Sequence, residues 1–173
     1  MRYKSYEWIV ALAEQPTNLS PFYKGWDVYQ DLLVKAIAPL SAEQLALRAA
    51  PHLRSIGENT AHIIGTRVGW FHMLMGEGDA AIAPLDDWDQ ANAPARSAAE
   101  LVTGLEASWQ MIQNALIRWT AEDLDYIFRG ERWGKPYELS RQWVIWHVIE
   151  HDLHHGGELS FTLGMHNLAA PDL

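Results

Sequence analysis

From residue 20 to residue 165 the chain repeats the spacing of an amphipathic helix four times. Ser20-Pro21 reads as an N-cap followed by proline at the first helical position. Phe22, Trp26, Tyr29, Leu33 and Ile37 then recur at 4-3-4-4 intervals until Pro39 stops the run. Ser41-Ala-Glu-Gln44 has the form of a capping box and predicts a short helical turn. After Pro51, Ser55-Ile-Gly-Glu58 is a second capping box, opening a helix of about 20 residues to Gly76. Ser97-Ala-Ala-Glu100 is a third, and Leu101, Leu105, Trp109, Ile112, Leu116 and Trp119 form the stripe behind it. Ser140 caps the last long helix, which reaches about Gly164.

The segments between these runs carry less order. Residues 1–19 read as a short amphipathic lead-in closed by the loop signal Gln15-Pro16-Thr17-Asn18. Residues 77–96 are rich in Ala, Asp and Pro and have no period. A connection of that length is usually functional or crosses a bundle from end to end. Thr120-Ala-Glu-Asp-Leu124 echoes Ser41-Ala-Glu-Gln-Leu45, a similarity made of common capping residues. Residues 125–139 read as an irregular loop or small hairpin, and the tail from Asn167 is expected to fray. Four long helices, one long crossover between the second and third, and no convincing strand pairs predict an all-α four-helix bundle in a single domain over residues 1–173.

Composition narrows the partners. The chain carries 13 Lys and Arg against 22 Asp and Glu, a net charge of −9. Nucleic acid or an anionic membrane surface would call for a basic patch, so neither is expected. With no cysteine, disulfides, thiolate metal ligands and a cysteine nucleophile are excluded. The N-terminal Met-Arg-Tyr-Lys-Ser-Tyr-Glu-Trp has no apolar signal core, and no apolar run approaches the roughly 18 residues of a membrane span. A cytoplasmic protein is the expectation.

Four of the eight histidines lie in His147-Val-Ile-Glu-His151-Asp-Leu-His154-His155. Advancing 100° per residue, Trp143, His147, His151, His154, His155, Glu158 and Thr162 all fall within about 80° of one line on the last helix. The i, i+4 pairs His147–His151 and His151–His155 share a face, the common helical geometry for holding a transition metal. A surface cluster, or histidines satisfied singly in the core, is the competing reading. The segment also matches the zinc-protease pattern HExxH with Asp152 for glutamate. Asp is a methylene too short for that general base, and the further metzincin positions fall on Glu158 and Phe161. A third ligand must come from another helix, and His52, His62 and His72 are the candidates. His62 lies opposite the apolar stripe Ile56, Ile64, Phe71 and Leu74. Its own face is small and apolar, with Gly65 and Gly69 leaving room for a ligand beside the imidazole. Trp70, Trp143 and Trp146 are candidate pocket walls, although tryptophan at helical spacing is more often core.

Gly57-Glu-Asn-Thr-Ala-His62-Ile-Ile and His151-Asp-Leu-His154-His155-Gly-Gly157-Glu158-Leu together resemble the pattern of the DinB-like superfamily of bacterial metalloenzymes, which includes the YfiT-like proteins. The likeness extends to the helix order, the long second connection and the Ser-Ala-Glu-Gln-Leu turn. It implies a bundle of up-down-down-up type and homodimers. It also implies a facial three-histidine site for zinc, nickel or a similar divalent metal, carried here by His62, His151 and His155, with open positions for water or substrate. Relatives include metal-dependent transferases and isomerases that use a low-molecular-weight thiol. The expected function is therefore a metal-dependent enzyme acting on a small molecule, with such a thiol supplying the sulfur that this cysteine-free chain lacks. Glu158 and His154 are the candidates for a catalytic base or a partner to a ligand, and the role of His147 stays open. The alternatives are a stress-related metal-binding module without turnover and a metal-dependent hydrolase.

Overall fold

The structure, a computed structural model, describes residues 18–132 and 134–171. The described chain is mostly helical. Its α-helices are α1 (Lys24–Ile37), the single turn α2 (Ala42–Leu45), α3 (Ile56–Val68), α4 (Ala98–Arg118) and α5 (Arg141–Met165). A hairpin of β1 (Ile127–Arg132) and β2 (Lys135–Ser140) leads into α5, with Ile127 opposite Ser140. Helix α3 packs against α4 and α5, and α1 against α4. The amphipathic lead-in expected over residues 1–19 lies outside the described residues as far as residue 17.

The capping signals act where they stand in the sequence. Ser41, Ser55 and Ser97 each accept the N–H three residues on, and Gln44, Glu58 and Glu100 bond back to the cap. Ser140 accepts the Trp143 N–H at the start of α5. Ser20 does not act as a cap: Asn18 Oδ1 accepts its N–H, and Ser20–Tyr23 forms a 3₁₀ turn feeding α1. The tail is better held than expected. Leu168 donates its N–H to the Leu163 carbonyl, and Ser160 Oγ donates to that of Pro171.

Two further departures shape the site. Helix α3 does not run regularly to Gly76; it widens into a π-helical turn over Gly69–Leu74 before Gly76, at φ 74°, ends it. The aperiodic connection is also partly ordered. Asp79 caps a 3₁₀ run, Ala80–Asp89, that lies along α3. Gly65 permits that approach, since a Cβ there would stand 3.2 Å from the Asp89 Cβ. The room that the α3 glycines leave beside His62 is thus filled by Asp86 and Asp89.

The core falls into two apolar clusters, one around Trp26, Phe71, Trp109 and Val148, the other around Tyr29, Leu33, Ile64, Leu105 and Leu159. A polar knot sits where every long helix passes from one cluster to the other. Arg67 of α3 and Asp152 of α5 are both fully buried and pair at 2.8 Å, with Arg67 Nε also donating to the carboxylate. Arg67 Nη1 reaches Gln30 Oε1 of α1 at 2.7 Å and Ser108 Oγ of α4 at 3.5 Å. Trp26 Nε1 donates to Asp152 Oδ2 at 2.7 Å. A buried ion pair repays its desolvation only when its remaining donors and acceptors are filled, and here four helices fill them. The knot fixes the rotation of α5 against α3.

Candidate metal centre

That rotation turns His151 and His155, which flank Asp152 along the sequence, toward His62 of α3. The His62 and His155 Nε2 atoms are 3.1 Å apart, and those of His62 and His151 are 2.9 Å apart. One ring nitrogen from each of the three lies within 4.8 Å of the other two. Two nitrogens bonded at about 2.1 Å to one ion, at right angles, stand about 3.0 Å apart, so the observed spacing suits neighbouring ligands on one face of a metal.

The far sides of the rings make the case stronger. His155 Nδ1 lies 2.7 Å from Glu158 Oε2, and His62 Nδ1 lies 2.7 Å from Asp89 Oδ2, though off the ideal hydrogen-bond line. A carboxylate at Nδ1 holds the proton there and leaves a lone pair on Nε2. With the proton on Nδ1 of both rings, the His62 and His155 lone pairs would face each other across 3.1 Å, an arrangement that a cation between them would relieve. His151 Nε2 also meets Thr66 Oγ1 at 3.1 Å, while its buried Nδ1 has no hydrogen-bond partner among the described residues. Asn59 ties Glu158 to the site, donating to its Oε2 at 3.3 Å and to the His155 carbonyl at 3.1 Å. The triad could hold a metal ion.

The protonation states agree. Burial first, then the neighbouring His155, His62, His147 and Arg54, push the His151 imidazole down to about 3. Burial likewise lowers His155, against the opposing pull of Glu158. Burial acts to raise the Glu158 carboxyl, but its bonds to His155 and the nearby His154 outweigh that and hold it below its ordinary value. Neutral imidazoles at neutral pH are ready to ligate without shedding a proton. The metal-free protein carries a matching acid sensitivity. Below about pH 6.5 the unfolded chain protonates at His151 while the folded chain resists down to about 3, so stability decreases as the pH is lowered through that window and is unaffected by this group above it. Thermal melts of metal-free protein from pH 7.5 to 4.5 are expected to show this slope, and His151→Gln is expected to flatten it; parallel curves for the two proteins would contradict the assignment.

The other candidates are placed differently. His147 is stacked on Trp143 at 4.9 Å and meets Trp70 edge-on, its ring centre 6.4 Å from that of His151. His154 is exposed on the outer side of α5, 3.3 Å from Glu158 Oε1. His72 Nδ1 bonds the Glu77 carbonyl at 2.6 Å, and His52 is exposed in its loop. Of the tryptophans, Trp70 walls a cleft and Trp146 faces outward. That cleft, about 710 Å³, opens beside the triad at Thr66 and Asp89, between the π turn, the 3₁₀ run and the hairpin. Trp70, Tyr137 and Leu139 give it apolar walls, with Asp86 and Lys135 among its charged groups. Burial and the nearby Asp87 and Asp89 raise the Asp86 carboxyl. Asp89 and Asn59 are the site residues that periodicity did not find. Asp89 lies in a stretch without a period, and Asn59 is one polar residue on a helix read for its apolar stripe.

Two solved structures share the fold. A DinB-like protein from Bacillus cereus superposes with a TM-score of 0.68 at 21% identity, over 92% of this chain and 99% of that one. A conserved protein from Enterococcus faecalis gives 0.62 at 17% identity, over 87% and 96%. No curated protein matches the chain. The sequence signature of the DinB superfamily matches residues 26–159, which include all three histidines and the polar knot, and the chain belongs to that superfamily.

Proposed function

We propose that the chain is a divalent-metal-dependent enzyme that uses a low-molecular-weight thiol to transfer or isomerise a small substrate. The observation that carries this is the convergence of three ring nitrogens, one each from His62, His151 and His155, within 4.8 Å of one another. His62, His151 and His155 would hold the ion, zinc or nickel by the chemistry of an all-imidazole set. A divalent ion there would lower the pKa of a thiol or water and so supply an anionic nucleophile near neutral pH. Glu158 would hold the Nδ1 proton of His155, and Asp89, 2.7 Å from His62 Nδ1, would orient that ring. Glu158, touching both His155 and exposed His154, is the candidate for a base or for a partner that orients His155. The cleft of about 710 Å³ has the size of a small-molecule site, with Trp70 and Tyr137 among its walls.

The same reading takes residues 1–173 as one domain, a four-helix bundle of up-down-down-up type, working as a homodimer in the cytoplasm. Trp146, Leu153 and Phe161, exposed along the outer face of α5, support self-association. The test is metal analysis of purified protein, followed by assay of glutathione, bacillithiol and mycothiol with electrophiles. One equivalent of divalent metal and metal-dependent turnover with a thiol are expected. Metal without turnover points to a binding module, hydrolysis without thiol to a hydrolase, and protein without metal overturns the ligand assignment.

A further inference from the structure

A second cleft, about 590 Å³, lies across Asp89 from the first and is bounded by α2, the start of α3 and residues 88–96. In a chain of net charge −9 it gathers three arginines, Arg48, Arg54 and Arg96. Their charges are unequally spent. Arg48 is engaged by Glu58 at 2.6 Å and by the Leu53 carbonyl. Among the described residues Arg54 reaches only Asp89 Oδ1, at 3.9 Å, and the other oxygen of that carboxylate is 2.7 Å from His62. Arg96 stands 3.6 Å from Glu100 Oε1, beyond ordinary hydrogen-bond length, while Glu100 Oε2 is taken by the Ser97 N–H and hydroxyl. Its guanidinium lies over the Trp88 ring at 4.6 Å, which sets its plane before any ligand arrives. The cleft's two carboxylates, Glu58 and Asp89, thus already face Arg48 and His62.

We propose that this cleft binds an oxyanion, the carboxylate or phosphate of the small molecule on which the histidine site acts, with Arg54 and Arg96 as its partners. The proposal rests on the reading of the three-histidine site given above, because Asp89 is the wall shared by that site and this cleft. An anion drawn to Arg54 would sit one side chain from His62. Planar guanidinium groups recognise carboxylate and phosphate through paired hydrogen bonds, which a scattered surface charge does not provide. The thiol named above would then be one bearing a carboxylate or phosphate.

The test is an amide NMR titration of purified protein, and of metal-deficient His155→Ala, with inorganic phosphate and separately with succinate. Saturable shifts at Gly57, Gln90 and Arg96 are expected in both proteins with at least one anion. Arg54→Gln combined with Arg96→Gln is expected to weaken binding about tenfold or more, with the remaining spectrum reporting an intact fold. A response to phosphate alone, or to succinate alone, identifies the group. No saturable shift with either anion, or shifts indifferent to the double variant, overturns the proposal. Wild-type protein that binds the anion but no metal would leave the cleft standing and sink the histidine reading. Protein that binds metal but no anion would do the reverse.

Discussion

Asp152→Ala is expected to cost the protein about 3–5 kcal/mol, because it strands the Arg67 guanidinium, fully buried, without its counter-charge. For a chain of this size that is a fall in Tm on the order of 10–15 °C, from a total stability of roughly 5–15 kcal/mol. The loss should exceed that of an ordinary core truncation, since Trp26 Nε1 and three Arg67 contacts lose their acceptor together. Arg67→Met should be comparably damaging. Arg67→Met combined with Asp152→Leu should recover most of the loss, because an apolar pair needs no counter-charge. Differential scanning calorimetry of the three variants checks this. A double variant no better than the worse single one would mean that the surrounding Gln30, Ser108 and Trp26 require the charges for their own satisfaction.

Removing one of the proposed ligands should be the largest effect on the site itself. His155→Ala and His62→Ala each delete one of three nitrogens. If each carries roughly a third of a binding free energy of about 10–16 kcal/mol, affinity falls by two to four orders of magnitude. Asp89→Ala leaves all three nitrogens but frees the His62 ring, and about 10–100-fold is expected. Competition against a chelator of known affinity would rank the variants. An Asp89→Ala loss as deep as that of His62→Ala would make Asp89 a ligand in its own right, and no loss in either histidine variant would move the metal elsewhere.

The fold was largely legible because its signals are local. Capping boxes at Ser41, Ser55 and Ser97 need only four residues to be recognised, and each caps a helix in the structure. The meeting of His62 with His151 and His155 was not local. Periodicity places His62 opposite its helix's apolar stripe, and resemblance alone selected it. The structure supplies the reason: α3 is covered on its second side by the 3₁₀ run, whose approach the small residue Gly65 permits. Periodicity tells which face a residue occupies, not what waits opposite. His147 shares its stripe with His151, yet the residue it meets is Trp70 of the π turn, so an aromatic contact forms there instead of a ligand set.

Asp152 shows the same limit from another side. Within the histidine motif it reads as a failed zinc-protease base, whereas its partner is a lone arginine on the apolar stripe of α3. Two solitary opposite charges, each on an apolar helix face, were the available signal. Asp89 had none, because a segment without a period gives no phase from which to predict a direction.

The pairing of Arg67 with Asp152 also restricts how this sequence can drift. Either residue changed alone passes through a chain less stable than both the starting pair and an apolar replacement. The two positions are thus separated from their alternatives by a valley that single steps must enter. Because Asp152 is flanked in sequence by His151 and lies three residues before His155, a lineage crossing that valley would do so on the very turn of helix that carries the imidazoles. On this argument the ion pair is hard to leave by single steps, and a change that moved it would also disturb the register of the histidines.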